Sequence, residues 1–254
     1  MAGAAHQTHE ELRPGHASIL KVTDPDLTEI FDNFAVEEVL AHSSLDTRTR
    51  HLVQLAALIG CQAVSEYRVM LGAALAAGIT PVEVKEIVYQ AVPYAGMGKA
   101  FYFLGATNDV LTAHGVRLPI DGQTAATHGN RGAEGRALQE RIIGADQVGR
   151  MYAAAAEDEV HLQRFISANC FGGYIARSGI GVPIRELLTF AMLAGLGGCD
   201  PQVRSHVAAN LNVGNDRQSL ISVITVILPF IGYPRALNAL AAVNEVTPAS
   251  TEGQ

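Results

Sequence analysis

Pro93-Tyr94-Ala95-Gly96 recurs as Pro229-Phe230-Ile231-Gly232, and Asn108-Asp109-Val110 recurs as Asn244-Glu245-Val246. Both matches lie 136 residues apart, and the same offset relates Gly78 to Gly214, Arg68 to Arg204 and Lys99 to Arg235. Further upstream the offset is 135: Leu45-Asp46 faces Ile180-Gly181, and Arg50-His51-Leu52 faces Arg185-Glu186-Leu187. The second copy has therefore gained one residue between Leu187 and Arg204. So long a period describes two domain-sized halves, not a solenoid built from units of roughly 20–50 residues. Each half is long enough to bury a core of its own.

The segments around these marks have helical periodicity. Apolar residues recur at three- and four-residue spacing in Leu27, Ile30, Phe31, Phe34 and in Leu52, Leu55, Ala56, Ile59, and strands are hard to find. Thr80-Pro81-Val82-Glu83 has the form of a helix start, with a hydroxyl cap, proline at the first position and an acid at the third. Asn215-Asp216-Arg217-Gln218 is read as its counterpart, with Asn215 as the cap, and Gly78 and Gly214 close the preceding helices. Each half thus reads as an approach helix, a long helix from near Arg48 or Pro183, a second from near Glu66 or Pro201, a third after Thr80 or Asn215, and a last one after Pro93 or Pro229. The expected organisation is a disordered tail over 1–15, a first unit over 16–115, a glycine-rich linker over 116–132, a second unit over 133–246 and a disordered tail over 247–254.

The 254 residues carry a net charge of -7, with charged residues at 17%, hydrophobic residues at 48% and no tryptophan. No cluster of Lys and Arg is available to meet phosphates, so nucleic acid is not an expected partner. The polar start lacks the apolar core of a signal peptide. Leu220 to Tyr233 is the most hydrophobic stretch, but it is shorter than the roughly 20 residues that cross a bilayer and contains Pro229. It reads as a buried helix, and no membrane partner is expected. Three scattered cysteines, Cys61, Cys170 and Cys199, do not form a disulfide framework, which fits a cytoplasmic location. Low charge and alanine-rich helices fit self-association.

Chemistry-bearing residues concentrate in the second half. Cys199, Gln202 and His206 are three and four apart, so a helix from Asp200 to Val213 would put them on one face, where a carboxylate from a neighbouring helix could meet them. His6, His9, His16, His42, His114 and His128 have no metal-ligand spacing, and neither a metal nor a cofactor is expected. His206 also fits a core histidine bonded to a neighbouring helix. Arg68 and Arg204 also fit structural ion pairs with Glu66 or Glu186, and Cys199 a small buried hydrophobe.

The chain resembles the carboxymuconolactone decarboxylase family, which includes the alkylhydroperoxidase D-like proteins, once per half. The resemblance is carried by Leu45-Asp46-Thr47-Arg48-Thr49-Arg50-His51-Leu52, by Ala74-Leu75-Ala76-Ala77-Gly78-Ile79-Thr80 and by Tyr94-Ala95-Gly96. It implies an all-α fold of two tandem helical-bundle domains of alkylhydroperoxidase D-like type, packed as an internal pseudo-dimer, and a homotrimer of such chains.

Redox members of the family carry Glu followed by Cys-x-x-Cys-x-x-x-His, the His eight residues before the closing Gly. Here that count gives His206 with Cys199 and Gln202 in the second half, and Met70 with Ala63 and Glu66 in the first, so neither half has the dithiol. Lyase members are similar to Glu-x-Arg-x-His. The first half offers Glu66-Tyr67-Arg68-Val69-Met70 and the second Gln202-Val203-Arg204-Ser205-His206, with the upstream family Glu present as Glu186 and replaced by His51.

The resemblance implies an acid–base lyase or isomerase site in the second half, acting on a small anionic lactone or related unsaturated carbonyl compound. In it Arg204 would anchor the substrate, His206 move the proton and Glu186 assist, while His51, Glu66 and Arg68 could form an altered first-half site. A thiol peroxidase using Cys199, a biosynthetic cyclase or hydratase, and a non-catalytic ligand-binding scaffold are the alternatives.

Overall fold

A computed structural model describes residues 20–248. The expected tail over 1–15 and residues 249–254 lie outside the described residues. Among the described residues there are helices and no strands. We number the principal helices α1 (Thr47–Gly60), α2 (Val64–Ala76), α3 (Pro81–Ala95), α4 (Met97–Ala113), α5 (Arg131–Ile143), α6 (Ala145–Ala154), α7 (Val182–Leu196), α8 (Asp200–Asn212), α9 (Arg217–Ile231) and α10 (Tyr233–Val246). An approach helix, Pro25–Asp32, runs into a π-helical stretch, Asn33–Glu38; in the second half Val160–Phe165 runs into Ile166–Ile175 in the same way. The repeat is thus visible element by element.

The two halves meet along α1 and α7, where the expected pseudo-dimer packing joins their cores. Residues 51–60 of α1 and 185–195 of α7 are all buried, so both helices are covered all round. A Cβ on Gly60 would stand 2.2 Å from the Met192 carbonyl oxygen, and a Cβ on Gly195 would stand 2.5 Å from that of Ala57. Gly60 with Gly195, and Ala57 with Met192, are mirror positions at the 135 offset. The two backbones therefore touch reciprocally across a pseudo-two-fold axis, as in an isologous dimer interface. A single apolar cluster runs through both halves, from Leu52 and Leu55 to Phe190 and Val243. The extra residue of the second copy falls at Leu196, beyond the crossing, so α7 is one residue longer than α1 and the contact keeps its symmetry.

Polar pairs follow the same axis. Gln54 donates to the Val226 carbonyl (3.1 Å), and the mirror contact joins Thr189, the counterpart of Gln54, to Gln90, the counterpart of Val226: Gln90 donates to Thr189 (2.9 Å) and to the Arg185 carbonyl (2.8 Å). One buried ion cluster has no counterpart. Glu86 accepts from Arg185 (2.9 Å) and Arg177 (2.8 Å), and both the Glu86 and Arg185 side chains are buried. The mirror of Glu86 is Ser222, which meets Ser44 at 3.1 Å.

Two helix boundaries differ from expectation. The cap of α9 is Asp216, which accepts from the Ser219 amide (2.7 Å), whereas Asn215 donates to the Pro183 carbonyl and to Asn210. Asp216 is the residue 136 after Thr80, whose side chain closes a reciprocal capping box with Glu83. The third helix of each half also continues through its proline: Pro93 and Pro229 lie in the last turn of α3 and α9. The chain turns at Gly96 (φ +83°) and Gly232 (φ +78°), where only glycine adopts the backbone without strain.

Candidate active site

Glu186 faces inward from the first half of α7, with its side chain fully buried. His206, in the middle of α8, meets it: Nδ1 lies 2.8 Å from Glu186 Oε2, with 11% of the imidazole side chain exposed. A carboxylate can only accept, so the neutral ring carries its proton on Nδ1 and offers the Nε2 lone pair. The other carboxylate oxygen, Glu186 Oε1, is buried without a hydrogen-bond partner. A buried acceptor left open costs about 1–3 kcal/mol.

The neighbouring residues hold this pair in place. Asn210, one turn beyond His206, donates to the Glu186 carbonyl (3.1 Å) and to the His206 carbonyl (2.7 Å), so α8 is fixed against α7 at the level of the pair. The ring of Tyr94, from the last turn of α3 in the first half, meets the imidazole edge-on with centroids 5.7 Å apart. Its hydroxyl lies near Thr189 and the Cys170 thiol. Burial raises the phenol pKa well above its ordinary value, and the nearby Cys170 and Glu186 add to that, so Tyr94 stays protonated. Burial likewise pushes the Cys170 thiol up to about 12.

The other expected site residues lie elsewhere. Arg204 turns away from His206 and pairs with Glu245 at 3.6 Å on the surface, and Arg68 pairs with Asp109 at 2.7 Å. These are mirror ion pairs, and their partners are neither Glu66 nor Glu186. Gln202 is exposed. Cys199 precedes α8 as its capping position and donates to the Leu193 carbonyl at 3.4 Å, near Arg235 and Asn238 of α10. Burial raises its thiol pKa, and Asp200 adds to that.

In the first half His51 is buried, its Nδ1 has no partner, and burial, followed by the Arg50 charge, lowers its pKa to about 4. Met70 is packed in the core, Glu66 is half-buried and Arg68 is engaged outward, so these residues do not converge on His51. Among the described residues no group of three His, Cys, Asp or Glu is placed to hold a metal ion.

The comparisons with known proteins agree with the repeat and the fold. The model of the carboxymuconolactone decarboxylase family matches residues 25–109 and again 161–245, segments separated by the same 136 residues at both ends. The chain belongs to the carboxymuconolactone decarboxylase family. Among solved structures it is similar to one described as a candidate gamma-carboxymuconolactone decarboxylase subunit from Burkholderia xenovorans LB400. The match has 18% identity and a TM-score of 0.54 and covers 95% of each chain. That likeness carries the fold. A search of curated proteins finds no match. Membership in the family supports a decarboxylase-like or alkylhydroperoxidase-like function, and no helix of the described residues is long and apolar enough to cross a membrane.

Tyr94, Thr189, Asn210 and Cys170 were not candidates from sequence reasoning. For Tyr94 a signal existed: within a repeated Pro-aromatic-x-Gly element it carries a hydroxyl that Phe230 lacks. Asn210 lies four residues after His206, one helical turn along the same face, and only Thr189 and Cys170 have no such signal.

Proposed function

We propose that the second half holds an acid–base site that decarboxylates or isomerises a small lactone or related unsaturated carbonyl compound, with His206 as the proton-transfer group and Glu186 as its partner. The observation that carries this reading is the buried His206–Glu186 contact at 2.8 Å together with the open Glu186 Oε1. Loss of carbon dioxide from a carboxylated unsaturated lactone leaves the electron pair of the broken C–C bond in a dienolate. His206 as imidazolium delivers a proton to that carbanion and ends neutral. Glu186 stabilises the imidazolium beforehand and fixes the ring so that Nε2 faces the substrate. Arg204, paired with Glu245 on the surface, takes no part in this scheme, so the imidazolium is the cation that meets a developing negative charge.

The thiol-peroxidase alternative is weakened by the raised pKa of the Cys170 and Cys199 thiols, because the thiolate is the reactive form. All three cysteines are free thiols, which fits a reducing cytoplasm.

The experiment is a screen of carboxylated and uncarboxylated unsaturated lactones by loss of ultraviolet absorbance and release of carbon dioxide, run with the unaltered protein and with Glu186→Gln. Turnover that falls at least a hundredfold in Glu186→Gln is the expected result. Peroxide consumption that persists in Glu186→Gln and disappears in Cys199→Ser would replace this reading with the thiol one.

A homotrimer is proposed as the assembly. Exposed apolar side chains recur at mirror positions on the last helix of each half, Met97 with Tyr233 and Phe101 with Leu237, as expected if both halves present like faces to neighbouring copies. Light scattering should give three times the 26.9 kDa chain mass, and a monomer mass would refute it.

A further inference from the structure

Set side by side through the repeat, the polar members of the site fall on one side of the pseudo-two-fold axis. Glu186 mirrors His51, His206 mirrors Met70, Asn210 mirrors Ala74 and Thr189 mirrors Gln54. Tyr94 and Phe230 form the one pair in which the hydroxyl sits in the first half. By the same axis, though, Tyr94 reaches over to His206 in the second half, and Phe230 belongs to the apolar first-half side, with Phe31 at 6.2 Å. The hydroxyl has thus been kept where the histidine and the carboxylate are kept.

Thr189, near the Tyr94 hydroxyl, donates to the Arg185 carbonyl (3.1 Å). Gln90, from the same helix as Tyr94, also donates to Thr189 (2.9 Å), and Gln90 is in turn held by Arg185 (3.0 Å). The Tyr94 ring therefore stands against the imidazole on a support anchored in the buried contact between the halves.

We propose that Tyr94 is a positioning residue of the second-half site: carried on α3, which Gln90 pins to α7, its ring holds the His206 imidazole on Glu186, so that one site is built from both halves. The proposal rests on the reading of His206 and Glu186 as the acid–base pair and extends it to the first half. That half contributes a side chain and the helix that carries it. A displacement of about 1 Å in such a group is enough to lower turnover strongly without loss of substrate binding.

The test uses the full chain labelled with 15N, with the His206 ring signals identified by their loss in His206→Gln. At pH 8 the unaltered protein should show His206 as one tautomer, protonated on Nδ1. Tyr94→Leu, which removes the aromatic ring, should give averaged or doubled ring-nitrogen signals and a kcat about tenfold lower with KM within twofold. Phe230→Leu, at the mirror position, should leave the His206 signals unchanged. Circular dichroism confirms that each variant is folded. A Tyr94→Leu spectrum that superimposes on that of the unaltered protein would overturn the proposal. The tautomer measurement needs no substrate, so it decides the role of Tyr94 by itself; the lyase reading fails separately, if His206→Ala retains turnover.

Discussion

Replacing Gly195 by alanine tests the crossing of α1 and α7 that joins the halves. A methyl group at 195 would lie 2.5 Å from the Ala57 carbonyl oxygen, whereas ordinary contact begins near 3.4 Å, so the helices must part by about 1 Å. The obstructing atom is backbone and cannot rotate away. Overpacking of this kind costs about 3 kcal/mol at its upper range, because a gap of that size removes a quarter to a half of the dispersion attraction along the seam. Alanine returns about 1 kcal/mol through its better helix propensity, which leaves a net loss of about 2 kcal/mol. Gly60→Ala, at 2.2 Å from the Met192 carbonyl, should cost at least as much. The double variant should cost less than the sum, since one displacement relieves both clashes. Gly105→Ala is the control. It lies in α4 with nothing within 4 Å of an added methyl, and should gain about 0.5–1 kcal/mol. Urea unfolding followed by circular dichroism reads all four, and the common core predicts one transition. Gly195→Ala as stable as the unaltered protein, or two transitions of separate halves, would refute the reasoning.

Other consequences follow from buried and capping groups. Glu86→Gln should lower stability by about 3–5 kcal/mol, because the buried Arg185 guanidinium loses its counter-charge; the double change Glu86→Gln/Arg185→Met should recover much of this in the same urea assay. His51 titrates at about 4 when folded and near 6.5 when unfolded, so between these values the unfolded chain holds more protons. Its contribution is complete above about pH 6.5 and is lost as pH falls to about 4, amounting to about 3 kcal/mol, and the difference in urea midpoint between the unaltered protein and His51→Leu should change across that window. Asp216→Ala should cost about 1 kcal/mol through loss of the α9 cap, a loss read from the same denaturation curves.

The fold was legible because the repeat, the Thr80-Pro81 start and the helical periodicity all pointed the same way. Where the reading slipped, the register already held the answer. Gln218 drew the cap of α9 to Asn215 through the capping-box spacing, yet the 136 offset carries Thr80 to Asp216. Pro93 and Pro229 look like helix breakers, but each lies inside its helix, which gives up one amide bond there and ends at the glycine three residues on. The close backbone crossing at Gly60 and Gly195 was not legible, since it has no signature in hydrophobic pattern.

Within the site, Glu186 and His206 were identified by position in a family pattern, and they come together. Arg204 came from the same pattern but faces outward. Its equal partner Arg68 in a half without the histidine pointed to a role in structure, and the repeated acids Asp109 and Glu245 were the partners. Tyr94 and Thr189 come to the site only through the tertiary fold, whereas Asn210, four residues after His206, is on the same helix face by spacing alone.

The central claim is that one acid–base site operates, in the second half. It is tested most directly by comparing turnover of a small unsaturated lactone by His206→Ala and by its mirror variant Met70→Ala, both checked for folding. The account predicts that His206→Ala abolishes turnover while Met70→Ala retains it with a lower melting temperature. Equal loss from both folded variants, or full activity in His206→Ala, would contradict it.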